Sequence, residues 1–284
     1  MATDVRPAAV AGTWYPASPD RLGREVDDYV AAAALDAMPS PKAIVVPHAG
    51  LKYSGPVAAF AYKTCLAVAE GGGRGLRPQP YNAAVLVGPS HFVGFDGVAI
   101  WPRGTWQTPF GPVQVAEDLA ARIASASAVV REHPPAHGRE HSLEMQLPFI
   151  AHLLPGLPIV PMVMGFQSRD TAFALGDALA EGVGDRTEVL LVASSDLSHF
   201  EDAQVASRMD AVVLQYVEQL DADGLMQALE AEPHHACGGG PMVAVLHAAR
   251  QLGATRARVL KYGDSGDVSG DKSSVVGYMA AAIW

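Results

Sequence analysis

The sequence predicts a single α/β domain, residues 1–284, built around a largely parallel sheet. Apolar runs at 43–47 and 83–87 lack polar alternation and are rich in valine, which is typical of strands buried on both faces. Helical patterns separate such runs along the chain, and this alternation favours parallel strands. No linker-like stretch divides the chain, which is long enough to bury a large core.

Composition narrows the class of protein further. Hydrophobic residues make up 49% and charged residues 18%, which excludes disorder. Thirty acidic residues against 20 basic ones give a net charge of -10, which argues against nucleic acid as a partner. No leader pattern begins the chain and no apolar segment approaches a membrane span. We therefore expect a cytoplasmic protein without a membrane partner, whose Cys65 and Cys237 are reduced.

The first half of the chain shows clear helix and strand signals. Ser18 and Pro19 are typical of a helix start, and that helix is predicted to run to about Ala34. A second helix is predicted from about Ser54 to Ala69. The glycine-rich stretch 71–75 is predicted to be a loop and lacks the Gly-Lys-Ser/Thr ending of a phosphate loop.

The second half alternates in the same way. Residues 97–115 predict a hairpin, and 140–149 predict a helix start with His141 and Glu144 on one face. A third strand, 158–163, contains prolines and is therefore predicted near a sheet edge. The remaining predicted elements are helices at 117–123, 170–181, 203–219, 221–231 and 241–251 and strands at 188–193, 256–262 and 274–283.

Chemically active side chains follow three of the predicted strands. His48 follows the first, His91 follows the second, and Asp196 and His199 follow the strand at 188–193. In open α/β sheets, ligands bind beyond the carboxyl ends of the strands. These side chains are therefore expected at one site.

Cys237 precedes a glycine-rich turn and a predicted helix start, where the helix dipole favours a thiolate. Imidazole and thiolate are ligands for iron, copper or zinc. Two histidines with Cys237, Asp196 or Glu144 as an anionic third ligand would leave open positions for substrate or oxygen. His199 is a candidate general acid or base, the role that histidine most often takes in catalysis.

Other interpretations of these residues stay open. A histidine after a strand is most often a hydrogen-bonded turn residue, and Asp196 would also serve as a helix cap. Ser194 and Ser195 are possible nucleophiles, but no Gly-x-Ser-x-Gly elbow surrounds them. Zinc-dependent hydrolysis is the least favoured chemistry because no zincin motif is present.

Several motifs together resemble one known family, the Memo family, whose prokaryotic members are called AmmeMemoRadiSam system protein B. The resemblance spans residues 5 to 284 in order. The motifs are Gly12-Thr13-Trp14-Tyr15-Pro16, Pro47-His48-Ala49-Gly50, Gly88-Pro89-Ser90-His91, Glu140-His141-Ser142-Leu143-Glu144, Ser194-Ser195-Asp196-Leu197-Ser198-His199, Ala236-Cys237-Gly238 and Ser273-Ser274-Val275-Val276-Gly277-Tyr278.

The resemblance implies a fold like that of class III extradiol dioxygenases, which are non-haem iron enzymes. That fold is a central mixed, largely parallel β-sheet flanked by helices on both faces. The implied metal ligands are His48, His91 and Cys237. The implied catalytic residues are His199 and Asp196, and the surrounding pocket would contain Trp14, His141 and Glu144.

The resemblance also sets the expected function. It implies a redox protein using iron, or copper because a thiolate replaces the carboxylate ligand of the ring-opening enzymes. Animal members have Gly-Arg-His-Pro after the cysteine, whereas this chain has Gly238-Gly239-Gly240-Pro241 and lacks two polar groups there. The alternative is a non-catalytic metal- or ligand-binding regulator acting through protein partners. The family association points to AMMECR-type or radical-SAM pathway proteins as such partners.

Overall fold

The computed structural model describes residues 4–66 and 80–284. The strands are β1 Val5–Arg6, β2 Ala43–Val46, β3 Ala83–Pro89, β4 Val98–Ile100, β5 Thr105–Thr108, β6 Gly111–Gln114, β7 Val130–Glu132, β8 Ile159–Met164, β9 Val189–Ser194, β10 His199–Glu201, β11 Ala257–Asp264 and β12 Val275–Ile283. The α-helices are α1 Pro19–Ala32, α2 Leu51–Thr64, α3 Glu117–Ala126, α4 Pro134–Gly138, α5 Leu147–Leu153, α6 Arg169–Val183, α7 Ala203–Glu218, α8 Ala222–Ala231, α9 Gly239–Gln251 and α10 Gly266–Ser269. Two 3-10 helices span Glu144–Gln146 and Pro233–His235.

The main sheet is mixed, with parallel strands at its centre. Its order is β10-β12-β2-β9-β3-β8-β4-β7, and β11 also pairs with β12. The strands β2, β9, β3 and β8 run parallel, whereas β12 and β4 flank them in antiparallel pairing. Every residue of β2, β3, β8 and β9 is buried, so both faces of this part of the sheet are covered. Helix α2 packs on β2 and β12, and α9 packs on β3 and β9. The predicted fold class is confirmed.

The predicted position of the third strand at a sheet edge is wrong. Strand β8 lies inside the sheet between β3 and β4. Its Pro161 pairs with Leu86 of β3, and its carbonyl accepts a hydrogen bond from the Trp101 N–H (3.0 Å) just beyond the end of β4. The missing proline N–H therefore falls where the ladder with β4 stops, so the proline costs few sheet hydrogen bonds.

The first residues of helices α1 and α2 can be compared with their predicted starts. Ser18 caps α1 by accepting a hydrogen bond from the Arg21 N–H, as its sequence position predicts. Helix α2 begins at Leu51, three residues before the predicted start, and Gly50 occupies its N-cap position. The helix thus follows the Pro-His-Ala-Gly turn at once. The predicted loop at 71–75 lies outside the described residues.

A small second sheet holds the amino-terminal arm. The hairpin β5–β6 confirms the hairpin predicted within residues 97–115. Strand β1 pairs with β5 in parallel. Strand β4 belongs instead to the main sheet. None of the described helices has the length and hydropathy needed to cross a membrane.

Candidate metal centre

The carboxyl ends of the parallel strands meet at one edge of the main sheet. His48 follows β2, His91 follows β3 and Asp196 follows β9, as the sequence order predicts. Cys237 reaches this edge from the turn before α9. A Cβ on Gly238 would lie 2.5 Å from the Ser194 carbonyl oxygen, so glycine is required for the turn to pack against the end of β9.

Three imidazoles cluster at this edge: His48, His91 and His141. One nitrogen of each lies within 4.8 Å of the others. Two nitrogen ligands of one zinc-like ion are at most about 4 Å apart, because each bond is about 2.1 Å. Small side-chain movements would therefore bring the three nitrogens onto one metal ion.

A hydrogen-bond network fixes the tautomer of His48. The Ser194 hydroxyl donates its only proton to the Ser142 carbonyl (2.7 Å) and accepts from the Gln146 amide (2.8 Å). Its contact with His48 Nδ1 (2.9 Å) must therefore be one in which the imidazole donates. His48 consequently presents an unprotonated Nε2 to the cluster, which is the form that binds metals.

His91 is oriented by a buried carboxylate that the sequence analysis did not assign. Glu140 accepts from His91 Nδ1 (2.9 Å) and from the His91 backbone N–H (2.6 Å). Burial works against ionisation, but the hydrogen bonds that Glu140 accepts, chiefly from His91, prevail and lower the pKa of Glu140 to about 2. Glu140 thus stays charged and leaves Nε2 of His91 free. The sequence signal that could have identified Glu140 was its position directly before His141.

His141 is the third imidazole and contacts the amino-terminal arm. Its ring lies 4.3 Å from the Trp14 ring and 4.6 Å from the His91 ring, measured between centroids. Burial, with a smaller effect of His91, lowers the pKa of His141 to about 4, so the ring is neutral at pH 7. A neutral ring offers a nitrogen lone pair to a metal.

Glu144 begins a 3-10 helix three residues after His141, and the Met145 N–H donates to the His141 carbonyl (2.9 Å), so one helical turn links the two residues. Their side chains have different partners. Glu144 is fully buried and forms an ion pair with Arg6 (2.6 Å). It also accepts from the Tyr15 hydroxyl (2.7 Å) and the Val10 N–H (2.9 Å). Glu144 therefore anchors the arm that carries Trp14.

Cys237 lies beside the cluster. Its Sγ is 3.2 Å from His48 Nε2 and accepts from the Asp196 N–H (3.3 Å). Burial, and secondarily the charge of Asp196, raises the pKa of the Cys237 thiol. The expectation of a thiolate favoured by the helix dipole is therefore wrong for the metal-free protein. A bound cation would be needed to stabilise the thiolate.

Asp196 and His199 approach the same edge. Asp196 Oδ1 accepts from the backbone N–H groups of His48 (2.6 Å) and Ala49 (3.2 Å), so this carboxyl organises the turn after β2. Burial raises the pKa of Asp196 to about 6, despite the opposing hydrogen bond from His48. His199 donates from Nδ1 to the Leu197 carbonyl (2.8 Å), which leaves its Nε2 as a proton acceptor.

An open cavity of about 470 Å³ borders this edge of the sheet. Its polar side chains include His91, His199 and Cys237. The imidazole nitrogens of the cluster and the adjacent thiol fit a divalent transition metal, since imidazole and thiolate are the ligands that such metals bind and the three nitrogens lie within 4.8 Å of one another. His91 is exposed, so a ligand from solvent can reach the cluster.

Fold and site together define an α/β protein with an imidazole cluster at the carboxyl edge of a parallel sheet. The family model described as Memo-like protein matches residues 6–282. A MEMO1 family protein of Caldivirga maquilingensis is 35% identical, covering 98% of this chain and 99% of its own length. One of Thermotoga petrophila is 36% identical, with the same two coverages. The chain belongs to the Memo-like family, which confirms the resemblance drawn from its motifs.

One solved structure is also similar. An uncharacterised protein of Escherichia coli K12 superposes with a TM-score of 0.48 and 18% sequence identity. The similar region covers 70% of this chain and 86% of that one.

Proposed function

We propose that this chain is a non-haem metal-dependent redox protein that binds iron, or copper, at the imidazole cluster. The observation that carries this proposal is the fixed tautomer of His48 and of His91, each of which presents Nε2 at the cluster. Such prepared histidines are typical of metal ligands. Zinc is the less favoured ion because no zincin motif accompanies the cluster.

The third ligand is either His141 or Cys237. His141 completes the three-nitrogen cluster, whereas Cys237 Sγ lies beside it, 3.2 Å from His48 Nε2. A thiolate is softer and favours cuprous copper, whereas three imidazoles suit iron and zinc as well. The choice between these two residues therefore decides the preferred metal.

The remaining groups would handle protons. His199 offers its Nε2 to a bound molecule in the cavity, and Asp196 sets the position of His48 through the backbone. A bound iron or copper would supply electron transfer and would polarise a substrate oxygen. His199 is the residue suited to take or return the substrate proton.

Anaerobic titration of chelator-treated protein with ferrous iron, cuprous copper and zinc tests the proposal. We expect one equivalent to bind and His48→Ala to abolish binding. Comparing His141→Ala with Cys237→Ser identifies the third ligand, since only the true ligand's loss weakens binding strongly. His247→Ala is the matched control, because His247 pairs with Asp177 on the surface (2.8 Å).

Failure of all three metals to bind would contradict the proposal. Tight metal binding without consumption of oxygen or of an added reductant would instead favour the regulatory alternative. In that case the next measurement is partner binding by the metal-loaded protein and by His48→Ala.

A further inference from the structure

Phe200 has a backbone conformation that its own packing does not explain. Its φ is +64°, in the left-handed region that residues other than glycine rarely adopt. The side chain is 76% exposed, so burial of the ring does not compensate for this conformation. Strained residues of this kind cluster at functional sites.

A β-bulge places Phe200 at the candidate metal centre. His199 pairs with Val276 and Glu201 pairs with Val275, so Phe200 is the extra residue on β10. Bulges redirect side chains, and glycine is the usual residue at a left-handed bulge position. Here the bulge brings the Phe200 ring to 5.6 Å from the His199 ring, measured between centroids.

The ring forms part of the apolar wall of the 470 Å³ cavity. Met209, Pro233 and Ala236 supply the rest of that wall, and Glu201, Cys237 and three histidines supply the polar part. A cavity of this size accommodates a small organic molecule. A metal-binding group would reach the imidazoles while an apolar body rests against Phe200.

The outer part of the cavity is not suited to anions. Glu201 lines it, and none of the described lining residues is lysine or arginine. The chain as a whole carries a net charge of -10. A negative charge on the outer end of a bound molecule would therefore be repelled.

We propose that Phe200 is a specificity-determining residue that holds the flat apolar body of a small metal-binding molecule with a neutral or cationic outer end. This inference rests on the proposed function, because the metal-binding group of the molecule needs the metal. The strain in β10 is maintained because it aims the ring into the cavity.

Hydroxamates test the proposal on protein loaded anaerobically with ferrous iron. Benzohydroxamate and acetohydroxamate share the metal-binding group and differ in the aromatic body. We expect wild type to prefer benzohydroxamate, and Phe200→Asn to reduce that preference about three- to tenfold, the range of one aromatic contact. Asparagine is chosen because it tolerates a left-handed backbone. Iron affinity should be unchanged.

Phe166→Asn is the control. The Phe166 side chain is likewise exposed (61%), but Phe166 does not line the cavity and its φ is not positive. It should change neither the hydroxamate preference nor the melting temperature, whereas Phe200→Asn should raise the melting temperature by about 2 °C through relief of strain.

Charge at the outer end is tested with two substituted probes. Wild type should bind 4-(aminomethyl)benzohydroxamate more tightly than 4-carboxybenzohydroxamate, and Glu201→Gln should reduce that ratio about threefold. Equal binding of the two probes by wild type overturns the charge assignment.

The outcomes separate the two proposals. If wild type binds neither iron nor copper, the proposed function and this inference both fail; if it binds copper alone, the hydroxamate comparison is made on copper-loaded protein. If iron binds but Phe200→Asn leaves the benzohydroxamate preference unchanged, or Phe166→Asn reduces it equally, only the Phe200 subsite is overturned.

Discussion

At the residue scale, the site depends on groups that orient the histidines. Ser194 is the last residue of β9 and was a possible nucleophile on sequence grounds, yet its hydroxyl is fully used in hydrogen bonds with Ser142, Gln146 and His48. A sequence shows that a serine is near a site but not the direction of its hydrogen bonds. The role of Ser194 therefore required the structure.

Removing this orienting contact should weaken metal binding. For Ser194→Ala we expect about a tenfold loss of affinity, because His48 can then adopt the wrong tautomer or rotate. Anaerobic titration with ferrous iron measures the change. Ser269→Ala, an exposed serine in α10, is the control and should bind as wild type does. Equal affinity of Ser194→Ala and wild type would contradict the assigned orienting role.

His137 predicts how stability depends on pH. It is fully buried against Trp101 and Trp106, and burial, reinforced by Arg6, lowers its pKa to about 3. Its ordinary pKa is 6.5. Between these values the unfolded chain binds a proton that the folded protein excludes, so stability is complete above pH 6.5 and declines on acidification.

From pH 7 to pH 5 this one residue should reduce the free energy of unfolding by about 2 kcal/mol. His137→Phe keeps a ring of similar size and removes the titration, so its loss of stability over that interval should be smaller by about this amount. Urea unfolding of the metal-free proteins at both pH values measures the difference. If the free energy of unfolding falls equally in wild type and in His137→Phe between pH 7 and pH 5, His137 is not the source of the pH dependence.

At the scale of elements, the amino-terminal arm is attached to the loop before α5 through one buried ion pair. Arg6 donates to Glu144 and to the His137 carbonyl (2.9 Å), and Glu144 holds the arm backbone and Tyr15. Trp14 consequently lies against His141. The sequence predicted Trp14 near the pocket, but the spacing of Glu144 and His141 did not reveal that Glu144 binds the arm.

Breaking this ion pair should be costly. Glu144→Ala leaves Arg6 buried without its partner, and we expect a loss of about 3–5 kcal/mol in the free energy of unfolding. The double variant Arg6→Leu with Glu144→Leu should recover part of that loss, because no unpaired charge remains. Urea denaturation of the single and double variants measures both effects. A double variant no more stable than Glu144→Ala would contradict this explanation.

At the scale of the whole molecule, strand order explains why the site was largely predictable. Runs of buried apolar residues predict a parallel sheet. His48, His91 and Asp196 follow β2, β3 and β9, which are neighbours in that sheet. The third imidazole was harder to predict from the sequence, because His141 reaches the edge from an irregular segment rather than from a strand end. Phe200 gave no signal, since a left-handed bulge is a property of three-dimensional pairing.

Metal binding should stabilise the entire fold, because its ligands come from separate strands and loops. At a free metal concentration 100 times the dissociation constant, the gain is about 2.7 kcal/mol. Differential scanning calorimetry of chelator-treated and iron-loaded protein should show a higher melting temperature with iron. His48→Ala should show no such increase, and an equal increase in that variant would place the bound ion elsewhere.

Strand β7, the last in the order of the main sheet, is three residues long, and its Arg131 and Glu132 are exposed. Glu132 also forms an ion pair with Arg103 (3.0 Å). A short strand with charged side chains is a poor template for a strand from another molecule. At this margin the sheet is therefore protected against pairing with a strand from another chain.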